Sequence, residues 1–280
     1  MYLITGATGN VGSQVVNQLL ASGRKVRVFT RDAAKVAQWG DRVEIAIGDF
    51  TSPETFAEAV QGAEGVFIMN GALDGNTFRQ LISAIKGHGS PRVVFLSTLF
   101  AASAESSIGQ LHKEKEDVIR ASGLPGRFIR AGAFMTNAYQ WRGSIKAEGI
   151  VYNAMGTGKV APVAAEDIAA VAVHALIDSN LTPEVFDVTG DELLTVPEQV
   201  ALLARATGRP VRSVDVSIEA AVQGLIGSGT PPPVAAAVGQ SFEAIRNGQM
   251  AFVKDTVKRV TGKQPRTFQS WAQAQASRFA

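Results

Sequence analysis

Ile4-Thr5-Gly6-Ala7-Thr8-Gly9-Asn10-Val11-Gly12 is the stretch that decides the fold of this 280-residue chain. It joins a short apolar run, Tyr2–Thr5, to a helical segment, Val11–Ala21. Glycines at a strand-to-helix turn let backbone N–H groups approach an anion closely, and a helix N-terminus adds unpaired amides and a favourable dipole. The stretch therefore predicts a dinucleotide pyrophosphate site, whose residues are Gly6, Thr8, Gly9, Asn10, Val11 and Gly12.

Short apolar runs alternate with helix-length segments through the first half of the chain, which indicates βαβ units and a parallel sheet buried on both faces. The predicted strands are Tyr2–Thr5, Val26–Thr30, Val43–Ile47, Gly65–Met69, Val93–Ser97 and Phe128–Arg130. The predicted helices are Val11–Ala21, Pro53–Val60, Thr77–Gly87 and Leu111–Ser122. The predicted fold is α/β, a Rossmann-like doubly wound parallel sheet with a smaller helix-rich C-terminal domain.

A change of pattern in the second half of the chain predicts two domains. Residues 1–150 are expected to form the dinucleotide-binding domain and residues 151–280 a smaller substrate domain. An apolar helix, Asp167–Ile177, and a strand, Val185–Thr189, lie in the second part. A helix this apolar needs cover, so residues 163–189 are expected to pack back on the sheet.

The bulk composition narrows the class of protein. The 27 basic residues nearly balance the 25 acidic ones, which argues against a nucleic-acid partner. The chain has no cysteine, which excludes disulfides, thiolate metal sites and cysteine nucleophiles. No signal-peptide pattern opens the chain and no apolar run is long enough for a membrane span, so a cytoplasmic protein is expected. The expected partners are a small-molecule substrate and, as an assembly, a second copy in a homodimer.

Several landmarks beyond the glycine stretch carry a family resemblance. They are the GxxGxxG spacing of the glycines, Arg31, Gly48-Asp49, Ser97-Thr98, His112 to Glu116, Ser122-Gly123-Leu124, and Arg130 to Asn137. Together the landmarks resemble the NmrA-like, atypical short-chain dehydrogenase group, and especially its bacterial quinone-, azo- and triphenylmethane-reducing members. The resemblance implies that Asp49 and Phe50 flank the adenine, that Asn70 lies beside the cofactor, and that Thr98 approaches the nicotinamide ribose.

The residue after the second strand favours NADPH over NADH. An acidic residue at this position would bind the ribose 2′-OH and repel a 2′-phosphate. This chain has Arg31, whose guanidinium can pair with that phosphate, and Lys35 adds charge one turn later. Two alternatives remain open, because Asp32 could turn inward to the ribose and Arg31 could be a solvated loop residue.

The usual catalytic pair of short-chain dehydrogenases is missing. That pair is Tyr-x-x-x-Lys, and the helix after the fifth strand has Ile108 and His112 at those positions. His112 is therefore the predicted catalytic residue, as a proton donor or as a hydrogen-bond partner of ribose or substrate. His112 and Glu116 are spaced like a metal-ligand pair, but no third ligand is evident, so no metal is expected. Lys113 and Lys115 are expected to be solvated.

The loop after the sixth predicted strand falls at the carboxyl edge of the sheet, where open α/β folds bind ligands. Its predicted substrate-binding residues are Phe134, Met135, Asn137 and Tyr139. The same apolar side chains could instead only cover a junction between domains.

The predicted function is NAD(P)H-dependent reduction of a small conjugated acceptor of quinone, azo or enone type, because such acceptors take a hydride without a strong acid. The alternative is a redox sensor that binds the dinucleotide without turnover, since such a protein tolerates loss of the Tyr-x-x-x-Lys pair.

Overall fold

The computed structural model describes residues 1–69, 73–103 and 106–279. Its strands are β1 (Tyr2–Thr5), β2 (Val26–Thr30), β3 (Glu44–Ile47), β4 (Gly65–Ile68), β5 (Arg92–Thr98), β6 (Gly126–Ala131), β7 (Ile150–Asn153), β8 (Val185–Val188) and β9 (Arg212–Asp215). The main sheet has the order β3-β2-β1-β4-β5-β6-β8, and all its described pairs are parallel. A second, two-stranded parallel sheet pairs β7 with β9.

The helices follow the strands along the chain. They are α1 (Asn10–Ala21), α2 (Pro53–Val60), α3 (Gly75–Gly87), α4 (Ser107–Ser122), α5 (Arg142–Glu148), α6 (Ala165–Ile177), α7 (Val196–Thr207), α8 (Ile218–Gly227), α9 (Pro232–Arg246), α10 (Thr256–Thr261) and α11 (Phe268–Gln275). Short 3₁₀ segments span Ala33–Arg42, Leu99–Ala102, Met135–Trp141 and Ala276–Phe279. None of the described helices has both the length and the hydropathy needed to cross a membrane.

The predicted fold class is confirmed, and each predicted strand is present within two residues of its expected ends. One expectation about burial is wrong. β3 was expected to be buried on both faces, but it is the edge strand of the sheet, and Ile47 is 57% exposed. An edge strand needs no second flanking layer, so an apolar run alone does not establish burial.

The core of the main sheet explains why these elements form. Phe56, Phe78, Phe95 and Phe128 are fully buried in one cluster, each placed there by a different helix or strand. Fully burying one such side chain stabilises the fold by about 1.5–3 kcal/mol, so the cluster fixes α2 and α3 against the sheet. α6 packs against α1 and against β4, β5 and β6.

The chain divides into two compact units. The first unit contains residues 1–131, 165–188 and 259–262, so both α6 and β8 belong with the main sheet. The second contains residues 132–164, 189–258 and 263–280. Its core includes Met135, Val200, Phe268, Trp271 and Phe279. The predicted domain boundary at residues 150 and 151 stays a prediction.

Candidate dinucleotide site

The glycine loop closes tightly on itself at the start of α1. Gly6 has a φ of +63°, a conformation that favours glycine, and its carbonyl accepts a hydrogen bond of 2.9 Å from the Gly9 N–H. A Cβ at position 12 would lie 2.2 Å from the Gly6 carbonyl oxygen. Only glycine permits this contact, which brings the first turn of α1 against the end of β1.

The N-terminus of α1 is suited to an anion. Among the described residues, no side chain caps this helix at Gly9, and its first turn contains no acidic residue. The first amides of a helix have no intrahelical acceptor, and the helix dipole adds positive potential there. A twelve-residue helix that begins at a glycine turn is therefore chemically matched to a pyrophosphate.

A cleft of about 320 Å³ opens beside this loop. Its lining residues are Gly6, Ala7, Thr8, Phe29, Thr30, Arg31, Gly48, Asp49, Phe50, Thr51, Met69 and Leu73. The cleft thus brings together residues from the carboxyl ends of β1, β2 and β3 and from the segments that follow β3 and β4.

The predicted cofactor residues fall into three groups. Those that line the cleft are Gly6, Thr8, Arg31, Asp49 and Phe50. Those that form the cap and first turn of α1 are Gly9, Asn10, Val11 and Gly12. Lys35 is exposed on a 3₁₀ segment and Thr98 ends β5, and neither lines the cleft. Asn70 lies outside the described residues. Their roles in cofactor binding stay predictions.

Arg31 and Asp32 make different contacts at the mouth of the cleft. The Arg31 side chain is 80% exposed, and its Nη1 lies 3.8 Å from Oδ2 of Asp49. Asp32 instead accepts a hydrogen bond of 2.9 Å from the Ala34 N–H and caps the following 3₁₀ segment. Hydrogen bonds from the N–H and hydroxyl of Thr51, and in addition the charge of Arg31, lower the pKa of Asp49.

Apolar side chains form the other wall of the cleft. Phe50 packs against Phe29 and Phe56. The centroid of the Phe50 ring lies 5.3 Å from that of Phe29 and 5.7 Å from that of Phe56. An aromatic ring in the wall of a cleft can pack against a planar heterocycle, stacked or edge to face. The geometry is compatible with the adenine position that the resemblance implies for Asp49 and Phe50.

Met69 is a cleft residue that the sequence reasoning missed. A Cβ at Gly6 or Gly9 would lie 2.7 Å or 2.8 Å from the Met69 Cε, so the methionine methyl fills the notch that the two glycines leave. The Met69 N–H is fixed by a 3.0 Å hydrogen bond to the hydroxyl of Thr5, which is itself buried. A strand-end methionine carries no sequence signal for this contact.

His112 lies on α4 with a defined ring orientation. Its Nδ1 lies 2.9 Å from the Ile108 carbonyl oxygen, which can only accept, so Nδ1 carries the proton. In the neutral ring Nε2 is then a hydrogen-bond acceptor. Burial lowers the pKa of His112, which favours this neutral form. The ring centroid lies 6.0 Å from that of Phe95 on β5.

Glu116 and Lys115 are both buried, which the sequence reasoning did not anticipate. Lys115 is 3% exposed, so the prediction that it is solvated is wrong; α4 turns this side chain toward Phe78 of α3. Glu116 is fully buried, and its carboxylate accepts hydrogen bonds from Arg130 and Ser97.

Among the described residues, no group of three or more His, Asp or Glu side chains could hold a metal ion.

The predicted substrate residues lie in the second unit. Met135 is 2% exposed in its core, and the Tyr139 hydroxyl donates a 2.8 Å hydrogen bond to Gln275. Phe134 is half-buried and Asn137 is exposed. The role of these four residues in substrate binding stays a prediction. Met135 and Tyr139 could offer a substrate little more than apolar surface, because Met135 is buried and the Tyr139 hydroxyl is already bonded.

Comparison with known proteins identifies the class to which this fold and site belong. A family model described as NAD(P)H-binding matches residues 6–179, which is more than half of the chain. The chain belongs to this NAD(P)H-binding family, and a nicotinamide dinucleotide is its cofactor, as predicted.

Two relatives and one solved structure show which members of the family this chain is similar to. The chain is 35% identical to an NAD(P)H azoreductase from Xenophilus azovorans, across 100% of this chain and 99% of the relative. It is 34% identical to a (4-alkanoyl-5-oxo-2,5-dihydrofuran-3-yl)methyl phosphate reductase from Streptomyces griseus, with the same coverage. The NADPH complex of the Escherichia coli quinone oxidoreductase QOR2 matches with a TM-score of 0.87, at 22% identity, over 98% of this chain and 99% of that one. The resemblance to the NmrA-like atypical short-chain dehydrogenases is confirmed.

Proposed function

We propose that this protein is an NADPH-preferring reductase that delivers a hydride to a small conjugated acceptor of quinone, azo or enone type. The observation that carries the proposal is the contact between Gly12 and the Gly6 carbonyl at the uncapped start of α1, beside a cleft that ends at Arg31. The names of the two relatives, both reductases, support the same chemistry.

The residues present fit the dinucleotide. The amides at the start of α1 would hold the pyrophosphate, Phe50 would contact the adenine, and Arg31 would pair with a 2′-phosphate. When bound, the cofactor supplies two electrons and one proton as a hydride, and the acceptor takes a further proton from solvent or from the protein. Position, more than acid strength, is what the protein must supply for such acceptors.

The tyrosines of the chain are poorly placed to supply that proton. The hydroxyl of Tyr139 donates to Gln275, and that of Tyr152 donates to Glu148, which raises the pKa of Tyr152. Tyr2 is buried in β1. His112 is the group we assign to the reaction, as an acceptor through Nε2 that holds a hydroxyl of the ribose or a hydroxyl substituent on the conjugated acceptor.

A screen of acceptors tests the proposal. The purified protein is incubated with NADPH and, separately, a quinone, an azo dye and an enone, and cofactor oxidation is followed by absorbance. We expect oxidation with at least one acceptor class. Tight NADPH binding without oxidation in any arm would contradict the proposal and favour the sensor alternative.

Arg31 should determine the preference for NADPH. Arg31→Ala removes the charge that would pair with the 2′-phosphate, which NADH lacks, so NADPH binding should weaken by about 1.5–3 kcal/mol, roughly ten- to a hundredfold. Binding of NADH should barely change. Calorimetry with both cofactors measures the difference. Arg24→Ala, which removes an exposed charge away from the cleft, is the matched control. Equal losses for the two cofactors would show that Arg31 does not discriminate.

A cytoplasmic location and a homodimeric assembly complete the proposal. NADPH is an intracellular reductant, which supports the location. Sedimentation of the purified chain at several concentrations tests the assembly, and a monomer at all of them would refute the homodimer.

A further inference from the structure

The Glu116 carboxylate is held by an ion pair that joins three elements of the first unit. Arg130 on β6 grips it with two bonds, Nε to Oε1 at 2.9 Å and Nη2 to Oε2 at 2.6 Å. The Ser97 hydroxyl on β5 donates to Oε1 at 2.6 Å, and Arg120 lies farther away, with both Nη atoms 3.4 Å from Oε2. Glu116 is fully buried, and the Arg130 side chain is 13% exposed.

These contacts fall next to the expected reaction site. Ser97 and Arg130 are paired in the parallel register of β5 and β6, and each is the last residue but one of its strand. Thr98 follows Ser97 and ends β5. His112 lies one helical turn before Glu116 on α4, so the ion pair fastens this part of α4 to the carboxyl ends of two strands.

Stability alone does not account for such a pair. Removing two charges from water carries a large desolvation cost, and apolar residues of similar volume are often as stabilising as a buried ion pair. What a planar guanidinium adds is geometry, because a bidentate pair admits few orientations. A rigid attachment is useful where a nearby side chain must be held accurately.

We propose that Glu116, held by Arg130 and Ser97, is a positioning residue for the reaction, which fixes α4 so that the His112 imidazole stays in place against β5. The inference rests on the proposed function. It divides the placement of His112 between two contacts: the Ile108 carbonyl sets the orientation of the ring, and the Glu116 ion pair sets the position of the helix.

Other groups around His112 do not replace this attachment. Phe95 and Phe78 form an apolar wall, with centroids 5.6 Å apart, and an aromatic contact allows sliding. The charges of Lys115 and Glu116 act on the pKa of His112 in opposite directions, Lys115 lowering it and Glu116 raising it. Both side chains are buried on α4.

The test replaces the pair as a unit. Glu116→Met with Arg130→Met removes both charges, so neither partner is left as an unpaired buried ion. Because Arg130 also interacts with the charge of Asp187, thermal unfolding is measured first to establish that the variant is folded. Single-turnover hydride transfer should slow by on the order of tenfold to a hundredfold, because small misplacement of a catalytic group has this effect. NADPH affinity should change little, and the imidazole NMR signals of His112 should lose their response to added NADPH.

The control is the more exposed ion pair between Arg27 and Glu44, which joins β2 and β3 elsewhere in the same unit. Replacing both by methionine should leave turnover and the His112 signals unchanged. If the Glu116 and Arg130 double variant does not fold, Ser97→Ala removes one bond and keeps the ion pair, and it should shift the same readouts by a smaller amount.

Two outcomes would overturn the proposal. One is a folded double variant with full turnover and an unchanged His112 response, which would make the pair purely structural. The other is a His112 signal that does not respond to NADPH in the unaltered protein, although NADPH binds. Both NMR readouts apply even if no acceptor is turned over, so failure of the proposed function remains distinguishable from failure of this inference.

Discussion

Gly12→Ala should weaken NADPH binding on the order of 10²-fold or more. The added Cβ would lie 2.2 Å from the carbonyl oxygen of Gly6 and 2.7 Å from its carbonyl carbon, and both atoms belong to the backbone. Neither can rotate away, so α1 must move off the glycine loop. The amides that would hold the pyrophosphate move with the helix, and losing one or two hydrogen bonds to a charged group, at about 1.5–3 kcal/mol each, gives a loss of this size.

Calorimetric titration with NADPH measures this loss, and two further variants are compared with it. Gly87→Ala places a Cβ in open space in α3 and should bind normally. Gly9→Ala would meet the flexible end of Met69 at 2.8 Å, so the fold should tolerate it while the methyl obstructs the pyrophosphate. Unchanged affinity in Gly12→Ala would remove the glycine loop from the binding site.

His112→Ala should slow hydride transfer on the order of 10²-fold while changing NADPH affinity much less, because Nε2 holds a hydroxyl of the acceptor in the transition state. His112→Gln offers a carbonyl acceptor near the same place and should recover part of the rate. Single-turnover kinetics separate this effect from cofactor binding. A loss confined to NADPH affinity would instead assign His112 to the ribose, and full activity in His112→Ala would exclude any role.

The pH dependence follows from the direction of the shift. Burial holds the pKa of His112 below its usual value of 6.5, so the ring is neutral above that pH. As an acceptor, Nε2 works only in the neutral ring, so activity should stay level as the pH rises above 6.5 and fall as it drops through the lowered pKa. A proton donor would give the opposite trend. The rate limited by chemistry, measured between mildly acidic and neutral pH, decides between them.

The main sheet could be predicted because the composition of its central strands reflects their burial. Buried parallel strands need apolar side chains on both faces, as in β1 and β4, whose residues are all buried. The glycine loop could also be predicted, because the contact that requires Gly12 is a local one, with the carbonyl of Gly6 six residues earlier. The position of Arg31 and Asp49 in the cleft could be predicted because the carboxyl ends of parallel strands meet at one edge of the sheet.

The features missed from the sequence depend on distant partners. β7 and β9 form a separate two-stranded sheet, and neither is a continuous apolar run like the strands at the centre of the main sheet, so the sequence pattern does not mark them as strands. Glu116 reads as one more charge on a charged helix, and its burial depends on Arg130 and Ser97 from two strands. Lys115 was misjudged for the same reason, because its cover comes from α3.

Single-turnover oxidation of NADPH bearing deuterium at both C4 positions tests the central claim most directly. The protein is loaded with labelled or unlabelled cofactor and mixed with the best acceptor from the screen. If hydride passes directly from the bound cofactor to the acceptor, oxidation should be slower with the labelled cofactor, and one of its two deuterium atoms should leave C4 while the other remains on the oxidised ring. Cofactor that stays bound and reduced in the presence of quinone, azo and enone acceptors alike would contradict the account.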